Sequence, residues 1–188
     1  MYILITRILN ALYGYEAINL LLRVAPSRVI IRILRYYGAT IGNGVRISSP
    51  LTIHNADQSK NLFSNLTIGN ECYIGRDCII DLMGKVQIGN NVTISHRATL
   101  NTHTNAGKSP VSKNRLKNTV GNISINDGAY LGLNVTVLES VSIGKNCIVG
   151  SFVVIKNSLI GDFVLIKDGS KIGIKGFGFI TSRKKISL

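Results

Sequence analysis

The side chains best suited to proton transfer or covalent chemistry are three histidines and three cysteines. A free imidazole titrates near pH 6.5, so His54, His96 and His103 can exchange protons at neutral pH. His103 is set apart by position. It lies just ahead of a stretch in which Lys108, Lys113, Arg115 and Lys117 have no acid among them. Acids are scarce, nine in the whole chain, and Asp81 and Glu139 are two of them. The cysteines form no Cys-x-x-Cys pair, which argues against a zinc knuckle or a disulfide framework. His96 and His103 are seven residues apart, a poor spacing for a shared metal, and no metal is expected.

The elements that carry these residues follow from a repeat. Counting in sixes, aliphatic residues stand at 41, 47, 53; 68, 74, 80; 88, 94, 100; 125, 131, 137; 143, 149, 155; and 160, 166, 172. All eighteen are Ile, Leu or Val, and nine are followed by Gly. Four residues after most of them comes a small or β-branched residue, the three cysteines Cys72, Cys78 and Cys147 included. A period of six fits neither a helix at 3.6 nor an amphipathic strand at 2. It fits one short strand plus one tight corner, with Gly and Asn supplying the unusual backbone angles of the corner. Three such units close a triangular coil, and coils stack through parallel ladders. The expected fold is an all-β solenoid, a parallel β-helix of about six coils over 41–176. Every departure from the period falls after the third strand of a coil, so excursions leave from one edge of the prism. In solenoids that edge often binds. The longest excursion, nineteen extra residues, follows Leu100 and makes the loop 104–122.

The charge follows this division. The net charge is +13 and the pI near 10.0. Residues 1–40 carry +4, residues 104–122 carry +4 and residues 170–188 carry +5, while the two repeat stretches between them nearly cancel. A nucleic-acid-binding body would carry the charge itself. The excess points instead to coenzyme phosphates, an anionic glycan or lipid headgroups. With 45% hydrophobic and 16% charged residues the chain is not a disordered polycation. Arg7, Glu16 and Arg23 interrupt its oiliest part, so no spanning helix is expected, and without a basic n-region and a small-residue cleavage site no signal peptide is expected either.

The sixfold pattern resembles the hexapeptide repeat of left-handed β-helix acyltransferases over about three quarters of the chain. The run from Cys78–Asp81 through Val86–Ser95 to Leu100-Asn-Thr-His103 is similar to the galactoside, maltose and polysaccharide O-acetyltransferase branch. That resemblance implies a homotrimer with acetyl-CoA as donor and active sites between neighbouring subunits. His103 matches the family's catalytic histidine and would deprotonate an acceptor hydroxyl for direct attack on the thioester. By stacking, Asp81 could fix its tautomer and Asn101 could orient the acceptor or steady the oxyanion, with Glu139 beside them on the acceptor. The family's coenzyme-binding run aligns with Val149–Lys156. Gly150, Ser151 and Lys156 within it, with Gly132 and with Lys171, which matches the last Lys of the family's closing motif, are the expected donor contacts, and Lys108 and Arg115 the expected contacts to phosphate or glycan. Phe152 replaces a small residue of that run, and Leu138-Glu139-Ser140 replaces a Leu-Pro-Gly.

The N-terminal segment, 1–40, reads as two helices over about 2–22 and 26–37. Arg28, Arg32 and Arg35 lie opposite Val29, Ile30, Ile33 and Leu34. Such a helix either seals the open end of the solenoid or lies in a membrane interface. Residues 177–188 form a basic tail. The expected activity is O-acetylation of a sugar hydroxyl, of a surface polysaccharide or its precursor, by a cytoplasmic enzyme with peripheral membrane contact. Two alternatives stay open: a non-catalytic β-helix that binds polyanions or membrane, and acyl transfer to a sugar amine or another small acceptor.

Overall fold

Each six-residue unit folds as one strand of two to four residues and one corner. The computed structural model describes residues 2–56, 61–105, 107 and 117–173. Their strands form three parallel sheets of six. Sheet one holds Thr40–Ile41, Leu66–Ile68, Val86–Ile88, Ile123–Ile125, Val141–Ile143 and Leu159–Ile160. Sheet two runs from Arg46–Ile47 to Leu165–Ile166, and sheet three from Leu51–His54 to Lys171–Ile172. The register is in phase with the repeat: Ile41 pairs with Ile68, Ile47 with Ile74 and Ile53 with Ile80. The result is a left-handed parallel β-helix of six coils behind a helical segment. The aliphatic columns fill its interior, and only Ile160 and Ile172, in the last coil, are half-covered. The three cysteines are free and buried in the same core, and burial pushes the Cys78 thiol up to about 11.

Three edges separate the sheets. The chain turns at left-handed residues on all of them, among them Asn91 (φ 55°), Asn134 (φ 55°) and Asn157 (φ 45°). The glycines that follow the aliphatic residues do something else. Eight of those nine have no left-handed φ. They are glycine because the next coil is too close: a Cβ on Gly69 would lie 2.6 Å from the carbonyl carbon of Gly89, and one on Gly144 2.5 Å from that of Gly161. The corner angle expected of these glycines is supplied two residues later, and what the glycines supply is clearance.

The N-terminal segment forms three helices, α1 (Tyr2–Tyr13), α2 (Tyr15–Leu22) and α3 (Ser27–Tyr36). The single helix expected over 2–22 is broken at Gly14, which takes φ 71°. Ile18 and Leu22 of α2 and Val29, Ile30, Ile33 and Leu34 of α3 are buried in the core. The open edge of the first coil receives one polar side chain per sheet. Arg35 donates to the carbonyls of Ile41 (2.7 Å) and Gly42 (2.6 Å). Ser27 Oγ accepts from the Ile47 amide (2.8 Å), and Asn19 Oδ1 from the Ile53 amide (2.9 Å). Backbone groups that would have no strand to pair with are thereby satisfied.

The coil spacing sets an expectation for stability. Gly69→Ala forces a methyl into the backbone of the next coil and should cost about 2 kcal/mol, as overpacking does. Gly161→Ala, with nothing within 4 Å of the new Cβ, should be close to neutral. Urea unfolding of the two variants checks this.

Candidate active site

The edge between sheet three and sheet one carries the polar residues of interest. The other two edges mostly hold glycine after the aliphatic residue, whereas this one holds His54, Asp81, Asn101, Leu138 and Lys156 in its first five coils. His54 and Asp81 are paired in register, one above the other. The chain leaves the prism here for the long excursion. It opens as an antiparallel hairpin, His103–Thr104 against Thr119–Val120.

Asp81 is the anchor. Its side chain is 2% exposed. Oδ2 accepts from the Thr102 amide (2.9 Å), from the Thr102 hydroxyl, and from His103 Nδ1 at 2.8 Å. Oδ1 accepts from Asn55 Nδ2 at 2.5 Å. Burial alone would raise this carboxyl, but the hydrogen bonds from Asn55, Thr102 and His103, with the imidazole's charge, outweigh it and hold Asp81 below its usual range. An ionised Asp81 accepts at Nδ1, so His103 carries a proton there, and in the neutral ring Nε2 is the nitrogen left with a lone pair. The imidazole is 18% exposed.

Glu139 anchors the next residue. Its Oε1 accepts from Thr104 Oγ1 (3.0 Å), Thr119 Oγ1 (2.7 Å) and Lys156 Nζ (2.8 Å). Burial would raise Glu139, while Lys156, the two threonines and its own backbone pull it below the usual carboxylate range. His103 is thus held between two fastenings, Thr102 on Asp81 and Thr104 on Glu139. Asn101 adds a third, its amide donating to the His103 carbonyl at 2.6 Å.

His103, Asp81 and Asn101 are therefore gathered at one edge, as the column predicts. Glu139 departs from expectation. It is 1% exposed and bonded under the hairpin root, so it braces the loop and does not face an acceptor. Lys156 departs too: its ammonium is taken by Glu139, away from Gly150 and Ser151. Those two lie at the edge between sheets two and three. They line an open groove of about 590 Å³ with Tyr130, Ile148, Leu165 and Lys167. Gly132 packs one coil before them, a Cβ there falling 2.8 Å from the Ser151 amide nitrogen. Lys171 opens the last strand of sheet three at the same edge. Lys108 and Arg115 lie outside the described residues. Sequence reasoning passes over Thr102 and Asn55 and finds nothing to set His54 apart. Asn55 and His54 share the excursion's first turn, and His54 stacks on His103 with ring centroids 6.5 Å apart and planes 11° apart. Among the described residues no group of three His, Cys, Asp or Glu could hold a metal ion.

The fold and the repeat define the class: hexapeptide-repeat left-handed β-helices. Residues 122–157, the fourth and fifth coils, match the family model described as bacterial transferase hexapeptide (six repeats). A hexapeptide-repeat acetyltransferase from Vibrio cholerae, solved alone and with acetyl-CoA, is similar at TM-score 0.66 and 16% identity over 79% of this chain and 80% of that one. A galactoside acetyltransferase in complex with coenzyme A is similar at TM-score 0.66 and 20% identity, over 81% of this chain and 73% of that one. A maltose O-acetyltransferase from Clostridium difficile is similar at TM-score 0.55 and 17% identity, over 83% of this chain and 77% of that one. No curated protein matches the sequence.

Both carboxylates have folded-state pKa values below their unfolded ones. Their stabilisation is therefore complete above the unfolded carboxylate range and is lost as pH falls through the lower, folded values. The pH dependence of the urea midpoint below about pH 4 should flatten in an Asp81→Asn, Glu139→Gln double variant. Lys156→Met, which leaves Glu139 buried without its cation, should cost about 3 kcal/mol at neutral pH in the same measurement.

Proposed function

We propose that this protein is an acetyl-CoA-dependent O-acetyltransferase acting on a sugar hydroxyl of a surface polysaccharide or its precursor. The observation that carries the reading is His103 on Asp81: an imidazole whose Nδ1–H is bound at 2.8 Å by a buried carboxylate, at the edge from which the long loop leaves. That arrangement makes Nε2 a general base and steadies the imidazolium once it forms. The relatives' bound acetyl-CoA and coenzyme A support a thioester donor, and the galactoside and maltose acetyltransferases support a sugar acceptor.

The reaction follows from the residues. His103 Nε2 takes the proton of the acceptor hydroxyl as its oxygen attacks the acetyl carbonyl. The tetrahedral oxyanion collapses, the C–S bond breaks, and His103 returns the proton to the departing sulfur. An acetyl ester and free coenzyme A result. Asp81 stays ionised throughout and holds the ring by its Nδ1–H.

The open groove beside Gly150 and Ser151 is a place for the pantetheine arm, and Lys167 on its wall suits a phosphate. The Ser151 amide, however, already donates to Asp168 at 2.6 Å. Within one chain this groove and His103 occupy opposite edges of sheet three, separated by a side of about five residues, roughly 16 Å. A neighbouring copy would bring a donor edge against the His103 edge, in keeping with a homotrimer. Lys108 and Arg115 remain candidates for phosphate or glycan contact from the loop.

The test is release of coenzyme A from acetyl-CoA with a panel of glycans, amino sugars included. His103→Ala should lower kcat at least a hundredfold, and Asp81→Asn should lower it as well. Equal rates for wild type and His103→Ala would overturn the mechanism, and turnover with amines alone would overturn the hydroxyl acceptor.

A further inference from the structure

The first excursion brings a second imidazole to the site. His54 is 60% exposed and lies parallel to His103 across 6.5 Å. Its proton is placed by Asn55. One amide nitrogen of Asn55 meets both Asp81 Oδ1 (2.5 Å) and His54 Nδ1 (2.8 Å). A carboxylate accepts only, so the group facing Asp81 is the amide NH2, which gives one hydrogen to each partner. His54 Nδ1 is then an acceptor, and the neutral ring carries its hydrogen on Nε2. His103, bound to the same carboxylate through Nδ1–H, has the opposite tautomer. Two stacked rings thus differ in their second nitrogens, one a proton acceptor and the other a donor. The Asp81–Asn55 unit sets both.

We propose that His54 binds the acceptor: its Nε2–H donates to the oxygen next to the hydroxyl that His103 deprotonates, so that the site selects acceptors with two neighbouring hydroxyls. This rests on the acyl-transfer reading above. A single alcohol satisfies His103 alone and leaves the His54 donor without a partner, whereas a vicinal diol satisfies both. His54 is therefore a specificity-determining residue, and Asn55 a positioning residue that acts through it.

Nitrogen-15 spectra of the imidazoles in the full-length protein test the tautomers without turnover. The Nε2–H form is expected for His54 and the Nδ1–H form for His103, and Asn55→Ala should remove the preference of His54 while His103 keeps its own. The same tautomer on both rings would overturn the proposal. In kinetics, His54→Ala should raise KM for a diol acceptor about tenfold with kcat nearly unchanged, and His54→Gln, which keeps an N–H donor, should recover most of it. A deoxy acceptor without the neighbouring hydroxyl should be insensitive to His54→Ala. Equal losses on both acceptors, or none on the diol, would sink the assignment while leaving acyl transfer intact. A wild type that turns over no acceptor removes the reading on which it rests.

A separate observation concerns α1. Its inward side holds Ile3, Thr6, Leu9 and Asn10, and Thr6 is fully buried. Leu4, Ile5, Ile8 and Leu12 are exposed within one arc of about 100°. The helix therefore turns its most apolar face outward, with exposed Arg7 on its shoulder. Arg23, Arg28 and Arg32 are also exposed in this segment, where Glu16 is the sole acid. We infer that α1 lies on an anionic lipid surface, its apolar arc in the acyl boundary and the arginines at the headgroups. No helix among the described residues is long and apolar enough to cross a membrane.

Flotation of the full-length protein with phosphatidylcholine vesicles, with and without phosphatidylglycerol, tests this. Binding is expected to the anionic vesicles, to weaken with salt, and to be lost in Ile8→Glu. No flotation with either vesicle would overturn it. So would an Ile8→Glu variant that keeps vesicle binding and falls to a smaller mass in sedimentation, which would give the face to a second copy of the chain.

Discussion

The distance between coils governs this molecule. Parallel ladders hold successive turns about 4.8 Å apart, and at two of the three edges the backbones come close enough to exclude a Cβ. Seven of the eight glycines without a left-handed φ that follow the aliphatic columns would place a methyl within 3.0 Å of the next coil. The exception, Gly161, belongs to the last coil, where the stack ends. The third edge, from which each irregular excursion leaves, has other residues than glycine at this position in its first five coils. It alone carries histidine and aspartate at the position that is mostly glycine elsewhere. Larger polar side chains at this position are thus gathered on one edge of the solenoid.

On that edge the geometry is fixed by two buried anions. Asp81 and Glu139 are both withdrawn from water, and each is kept ionised by donors that converge on it. A buried ion pair contributes little net stability compared with apolar residues of the same size, but it tolerates the loss of a partner badly. Its effect here is directional. Asp81 sets the azimuth of the imidazole through Nδ1, and Glu139 ties both strands of the hairpin, through Thr104 and Thr119, to the solenoid. His103 is thereby fastened to the solenoid on both sides, through Asp81 and through the Glu139 tie. Glu139 Oε2 is buried and has no partner among the described residues, so the tie runs through one oxygen.

Much of this is legible in the residues and some is not. The columns of Ile, Leu and Val predict the sheets, their register and the edge from which excursions leave, because a core position in a stacked coil admits little else. The same columns align Asp81 with Asn101 and bring His103 to them. They also align His54 with Asp81, a signal present in the counting but hidden because Asn55, which links the two, lies in an excursion and obeys no period. Thr102 escapes for the opposite reason: its hydroxyl works only because Asp81 is buried, and burial at a corner depends on the hairpin above. The hairpin likewise turns Glu139 inward. The glycines are assigned to the right places for the wrong cause, since sequence alone does not separate a corner that needs a left-handed angle from one that needs clearance. The break at Gly14 is a local choice of backbone angle that the apolar run on either side conceals.

The single exit edge has a consequence for how such a chain can change. Insertions and deletions there alter neither the phase of the eighteen strands nor the closeness of their coils. The excursions that follow His54 and Leu100 are grafts on a regular spool. Loops at that edge can drift, lengthen or be exchanged while the scaffold and the carboxylate beneath His103 stay as they are. Innovation and foldability are placed on separate parts of one short sequence.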